Sequence, residues 1–158
     1  MTTAIEHIID CDANPNMLDG YFDKVIEHKK MGQLILDFSM INLYLPANYE
    51  AYDCDGRMWE CELRSLPVLN ANVLDYLMAH PEIIPDTWKK RLKNGQRPYI
   101  FFWGTIYLDG GGHYNVRFLG WDDKNKKWAE SLVWLDAPTS FRSFAAILEN
   151  QFSLPLSN

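Results

Sequence analysis

The run Pro98-Tyr99-Ile100-Phe101-Phe102-Trp103-Gly104-Thr105-Ile106-Tyr107-Leu108, followed by Asp109-Gly110-Gly111-Gly112 and His113-Tyr114-Asn115-Val116-Arg117-Phe118-Leu119-Gly120-Trp121, decides the fold class. A charged turn from Asp122 to Lys127 and a last run from Trp128 to Leu135 complete it. Short aromatic and β-branched runs bounded by Gly, Asp and Asn clusters signal strands. The pattern predicts three consecutive antiparallel strands, a meander. In the first, Tyr99, Phe101, Trp103, Thr105 and Tyr107 share one face, and Ile100, Phe102, Gly104, Ile106 and Leu108 share the other. A strand with no polar face is central and covered on both sides. Gly104 reads as packing room for a neighbouring Trp, with a bulge or the close approach of another backbone as the alternative.

The glycine run after Asp109 is read as a hairpin that uses positive φ. A phosphate-binding loop would lead into a helix, and the residues from His113 onward follow a strand pattern. Trp121 and Trp128 flank the charged turn and are expected to be the most exposed tryptophans of the meander.

Outward from this stretch, Met17 to Met31 has the spacing of a helix, with Leu18, Phe22, Val25 and Ile26 on one face. It closes on Glu27-His28-Lys29-Lys30-Met31-Gly32, cations in a last turn before a glycine. Ile5, Ile8 and Ile9 suit either a helix or a strand end. Gln33 to Phe38 and Ile41 to Leu45 read as strands. Val73, Leu74, Leu77 and Met78 form the stripe of a helix that Asn70 or Asn72 can cap and Pro81 stops. A short helix is expected from Pro85 to Leu92, and a last one from about Ser140 to Gln151. No repeat or linker interrupts the chain, so residues 1–158 are read as one α+β domain, an antiparallel sheet packed with a few short helices. Residues 153–158 form a loose end.

The chain has 158 residues, 47% of them hydrophobic and 14% aromatic, which excludes a disordered protein. The formal net charge of −6 opposes broad nucleic-acid binding. It suits a protein that meets a basic partner. No apolar run approaches the ~18 residues of a membrane span. The start, Met1 to His7, lacks the pattern of a signal peptide, so a cytoplasmic location is expected. Cys11, Cys54 and Cys61 are an odd number without a paired motif, and they read as reduced thiols.

Several segments resemble a family of small uncharacterised bacterial proteins. They are Asp10-Cys11-Asp12-Ala13-Asn14-Pro15, Glu27-His28-Lys29-Lys30, Asn42-Leu43-Tyr44-Leu45, Pro67 to Leu77, Pro81 to Lys89 and Phe101 to Tyr107. That family has no established activity, so the resemblance implies no site residue. Ala47 to Met58 departs from it most.

The leading functional expectation is a non-catalytic protein-binding protein, of inhibitor or immunity type, with an acidic and aromatic surface. Its candidate residues are Trp121, Asp122, Asp123 and Trp128 at the turn, and Tyr52, Asp53 and Asp55 in the divergent segment. An enzyme would draw on Asp10, Asp12, His28 and His113. A nucleic-acid binder would use Lys89, Lys90, Arg91, Lys93 and Arg97. No metal and no cofactor is expected, because the histidines and cysteines do not fall at ligand spacings.

Overall fold

A computed structural model describes residues 5–45, 63–135 and 143–149. The strands are β1 (Ile8–Asp10), β2 (Phe22–His28), β3 (Gln33–Ile35), β4 (Ile41–Tyr44), β5 (Tyr99–Phe101), β6 (Thr105–Asp109), β7 (Tyr114–Asp122), β8 (Lys127–Trp134) and β9 (Ser143–Leu148). The α-helix α1 spans Ala71–Ala79, and single 3-10 turns lie at Phe38–Met40, Pro81–Ile83 and Asp86–Lys89. The class is α+β, dominated by sheet.

Seven strands form the main sheet in the order β2-β6-β7-β5-β9-β4, with β8 also on β7, while β1 and β3 form a separate two-stranded ribbon. The long strand β7 is the axis. β8 runs its whole length, from Asn115 opposite Trp134 to Asp122 opposite Lys127. The other edge of β7 is shared: β6 meets it at Tyr114 and Asn115, and β5 meets it at Phe118 and Leu119. The expected first strand of the meander is therefore two strands.

The break at Phe102, Trp103 and Gly104 has a cause. The N-terminus of α1 lies against it, and a Cβ on Gly104 would come within 2.8 Å of Asn70 Cα. Gly104 N–H donates to Leu69 O, and Gly104 O accepts from Lys29 N–H. Gly104 thus marks the close approach of another backbone, and not merely room beside a Trp. The break also inverts side-chain parity, since one extra residue flips the faces of a strand. Phe101 and Trp103 pack with Ile106, whereas Tyr107 joins Phe22 and Ala71. Both faces are covered: Ile100 and Phe102 lie under α1 with Leu74, Leu77 and Leu119, and Phe101 and Trp103 lie on the opposite side with Val68 and Val116. Gly104→Ala should cost about 1–3 kcal/mol, because fixed backbone must move to admit the methyl group. Urea unfolding of the variant measures it.

Two expected helices are strands. Phe22–His28 pairs with β6 through two register shifts. Helix formation there is blocked upstream, where Leu18, Asp19 and Gly20 all have left-handed φ. Ser143–Leu148 lies parallel to β5 and antiparallel to β4. Its fully buried Ala145 and Ala146 let the sheet be covered closely on both sides. The expected helix at Pro85 to Leu92 shrinks to the turn Asp86–Lys89, which buries Trp88. α1 begins where its sequence indicates: Asn70 is the N-cap, and its side chain accepts from Asn72 N–H.

Candidate functional site

The ribbon has strict alternation. Ile9, Cys11 and Leu34 point inward and are buried. Glu6, Ile8, Asp10, Gln33, Ile35 and Asp37 are exposed. Ile8 stands opposite Ile35, and Asp10 opposite Gln33. Leu36 N–H donates to His7 O, which carries the pairing on toward Glu6 and Asp37. The outer face is therefore an apolar pair, Ile8 at 50% and Ile35 at 57% exposure, bordered by the carboxylates of Glu6, Asp10 and Asp37. Hydrogen bonds from Ser39, first from its hydroxyl and then from its backbone N–H, hold the Asp37 carboxyl below the usual range, so its charge persists into mild acid.

Behind this face, segments distant in sequence are tied together. Asn70 Nδ2 donates to Cys11 O at 2.9 Å and to Lys29 O at 3.0 Å. Asn72 Nδ2 donates to Asp10 O and Ala13 O. Thr105 Oγ1 accepts from Ala71 N–H at 2.9 Å and lies 2.9 Å from His28 Nδ1. His28 Nε2 donates to Ala13 O at 3.1 Å. In the neutral ring Nε2 thus carries the proton, and Nδ1 accepts from the threonine hydroxyl. Asp10 Oδ1 accepts from Asp12 N–H, and Asp12 Oδ1 accepts from Gly32 N–H. The structure gathers Asp10, Asp12 and His28, but it spends them on holding backbone. His113 is elsewhere, in the β6–β7 hairpin, stacked on Trp134 at 3.7 Å.

Beside this knot opens a cleft of about 260 Å³ lined by Glu27, His28, Lys29, Leu63, Arg64, Val68, Trp103 and Gly104. Lys29 Nζ reaches Leu66 O. Among the described residues no group of three or more His, Cys, Asp or Glu is placed to hold a metal ion.

No family model, curated protein or solved structure matches this chain. Among the described residues no helix is long and apolar enough to cross a membrane.

The acidic turn is occupied internally. Asp122 accepts from Lys124 N–H, Asn125 N–H and Asn125 Nδ2, and these bonds, the Asn125 side chain's foremost, lower its pKa. Asp123 binds Arg97 Nη2 at 2.8 Å and Arg91 Nη2 at 3.3 Å. Lys89 Nζ sits 3.7 Å above the Trp121 ring and pairs with Asp86. Asp123 of the expected acidic surface and Arg91 and Arg97 of the expected basic cluster thus face and neutralise each other. Trp128 is buried at 7% exposure, against the expectation, because its ring packs edge-on to Trp121 and joins the α1 core. Trp121 is half-buried, and the exposed tryptophan of β8 is Trp134. Tyr52, Asp53, Asp55, Cys54 and Cys61 lie outside the described residues.

Sequence reading missed Ile8, Ile35, Glu6 and Asp37 as a surface. The sequence carried no alternation that would show it: Glu6 to Asp10 reads Glu-His-Ile-Ile-Asp and Gln33 to Asp37 reads Gln-Leu-Ile-Leu-Asp, so the exposed isoleucines are told from the buried ones only by the strand pairing. It also missed Arg117, whose fully buried guanidinium bonds Asp75 from α1 and Glu130 from β8.

Cys11 is a buried free thiol. Burial first, then the charges of Asp12 and Asp10, push its pKa from 9.0 up to about 11. The folded state therefore holds the proton more tightly than the unfolded chain. This contribution to stability is intact below pH 9.0 and is lost as pH rises toward about 11. In native protein at pH 8, Cys11 should resist a disulfide reagent, and it should react at once in denaturant. Alkylation followed by peptide mass mapping distinguishes it from the other thiols.

Proposed function

We propose that the protein acts by binding another protein without turnover, as an inhibitor or immunity-type protein would, through the outer face of the β1–β3 ribbon. The observation that carries this reading is the exposed Ile8–Ile35 pair inside an acidic border. An apolar centre with a polar rim is the anatomy of a protein interface. The carboxylates of Glu6, Asp10 and Asp37 would steer a basic partner, an effect that salt weakens. The net charge of −6 acts in the same direction. The site operates in the cytoplasm on this reading.

The ribbon is preferred to the turn because Asp123 there is already neutralised by Arg97 and Arg91, and because Trp128 beside it is buried. It is preferred to catalysis at His28 because both ring nitrogens are engaged, and a general base needs a lone pair within reach of its substrate.

Affinity capture from host lysate tests the proposal, using wild type and a Glu6→Lys/Asp37→Lys variant. The expected result is a basic partner held by wild type at low salt, released as salt rises, and lost from the variant at unchanged circular dichroism. A variant that keeps every partner contradicts the reading. So does a wild type that captures none while turning over a small molecule.

A further inference from the structure

We propose that the partner is met by strand addition: an extended segment with an apolar residue between two basic ones pairs with the free edge of β3 and continues the ribbon. This inference rests on the reading of the ribbon face above and names how its partner is held. Cys11 N–H donates to Gly32 O at 2.9 Å, and Leu36 N–H donates to His7 O at 2.8 Å. Bonded and non-bonded residue pairs alternate along an antiparallel ladder, so the bonded pair between these two is Ile9 with Leu34. Ile8 with Ile35 and Asp10 with Gln33 are the non-bonded pairs, whose N–H and C=O groups turn away from the opposite strand. On β1 that edge meets α1, where Asp10 O accepts from Asn72 Nδ2 at 3.1 Å. On β3 the edge is open. Among the described residues β1 is its one strand partner, and no hydrogen bond reaches the outward N–H and C=O of Gln33 and Ile35.

Gln33 and Ile35 together offer two donors and two acceptors along one edge, beside the exposed isoleucines. Main-chain pairing to such an edge supplies affinity, and alternate side chains supply specificity. A strand laid on β3 places a residue beside Ile35, in line with Ile8, where an apolar side chain extends the exposed pair. Its residues two positions to either side stand beside Asp37, in line with Glu6, and beside Gln33, in line with Asp10. Lysine or arginine at those positions meets the carboxylates of Glu6, Asp37 and Asp10. The pattern is symmetric, so either strand direction satisfies it. The same carboxylates oppose a second copy of this chain as the occupant. Pairing β3 with itself about Ile35 would bring together two acidic rims on chains of net charge −6. β2, at an end of the main sheet, is interrupted by two register shifts, a common protection of an edge. The register of β3 on β1 carries none.

The test is an amide NMR titration of the full chain at low salt, with hydrogen exchange followed on the same samples. The probes are two peptides of one shape, acetyl-Thr-Lys-Thr-Val-Thr-Lys-Thr-amide and acetyl-Thr-Glu-Thr-Val-Thr-Glu-Thr-amide. The lysine peptide should shift the Gln33 and Ile35 amides saturably and slow their exchange, and it should bind about tenfold more tightly than the glutamate peptide. The Leu34 amide, already turned toward β1, should change little. Gln33→Pro removes one outward donor at a place where an edge strand accepts proline. It should weaken the lysine peptide about tenfold, while Gln33→Ala should leave it within about twofold. Should Gln33→Pro lose protection at Leu34, and so the ribbon itself, the exchange result on wild type decides alone. The proposal is overturned if the lysine peptide does not saturate, if the glutamate peptide binds as well, or if folded Gln33→Pro binds like wild type. It is equally overturned if sedimentation shows a dimer of this chain that protects the same amides. Shifts at the Ile8 and Ile35 methyl groups without slowed exchange at Gln33 and Ile35 would overturn strand addition and leave the ribbon reading standing. Failure of that reading shows instead in the capture by the Glu6→Lys/Asp37→Lys variant.

Discussion

Asn70→Ala should destabilise the protein by about 3–5 kcal/mol, measured by urea unfolding at neutral pH. One side chain makes three bonds: it caps α1 at Asn72 N–H and donates to Cys11 O and Lys29 O. Losing the cap alone costs about 1 kcal/mol. Each buried carbonyl left without a donor adds about 1–3 kcal/mol. Asn70→Asp separates the two effects. It keeps the cap, but it turns an oxygen toward the two carbonyls. If the cap were the main term, Asp would restore stability; a staple between segments predicts that Asp is no better than Ala. The same residue explains why the sheet breaks where it does, since its backbone occupies the space that a side chain at position 104 would need.

Arg117→Ala should cost a similar amount, about 3–5 kcal/mol, the usual penalty for breaking a buried ion pair from one side. Arg117 is 1% exposed, and its Nη2 donates to Asp75 at 2.7 Å and to Glu130. Burial alone would lower its pKa; the hydrogen bond and charge of Asp75, with Tyr107 and Glu130 adding, outweigh burial and raise it. The guanidinium is thus held in its charged form. Asp75 and Glu130 remain about a third exposed, at 30% and 33%, so they can rehydrate in part, and the cost should fall toward the lower end of the range. Replacing all three as Arg117→Met, Asp75→Ala and Glu130→Ala should recover most of the loss, because no unpaired charge then remains. A triple variant as unstable as the single one would show that the loss is in packing, not charge.

What the sequence disclosed was local. The α1 stripe of Val73, Leu74 and Leu77, its Asn70 cap, and the turn after Asp122 are set by residues a few positions apart, and each is found where its pattern places it. What it concealed was set from a distance. Leu18, Phe22, Val25 and Ile26 fit a helical period, yet β6 supplies a partner for Phe22–His28, and pairing prevails over period. Ser143–Leu148 is a short apolar run, and such runs do not distinguish strand from helix. The parity of Tyr107 could not be read, because it depends on a break imposed by Asn70. The exposure of Ile8 and Ile35 depended on knowing that Gln33–Ile35 pairs with Ile8–Asp10. The carboxylates of Asp122 and Asp123 looked available until Asn125, Arg91 and Arg97 were placed against them.

The central claim is that the ribbon face is kept for a partner and not for the fold. The most direct test is one double variant, Ile8→Thr/Ile35→Thr, assayed for stability and partner capture on the same preparation. Both positions are half-exposed and on strands, where threonine is well accommodated. The account predicts an unfolding free energy within about 1 kcal/mol of wild type together with loss of the captured partner. A partner retained at wild-type affinity by this variant would contradict it.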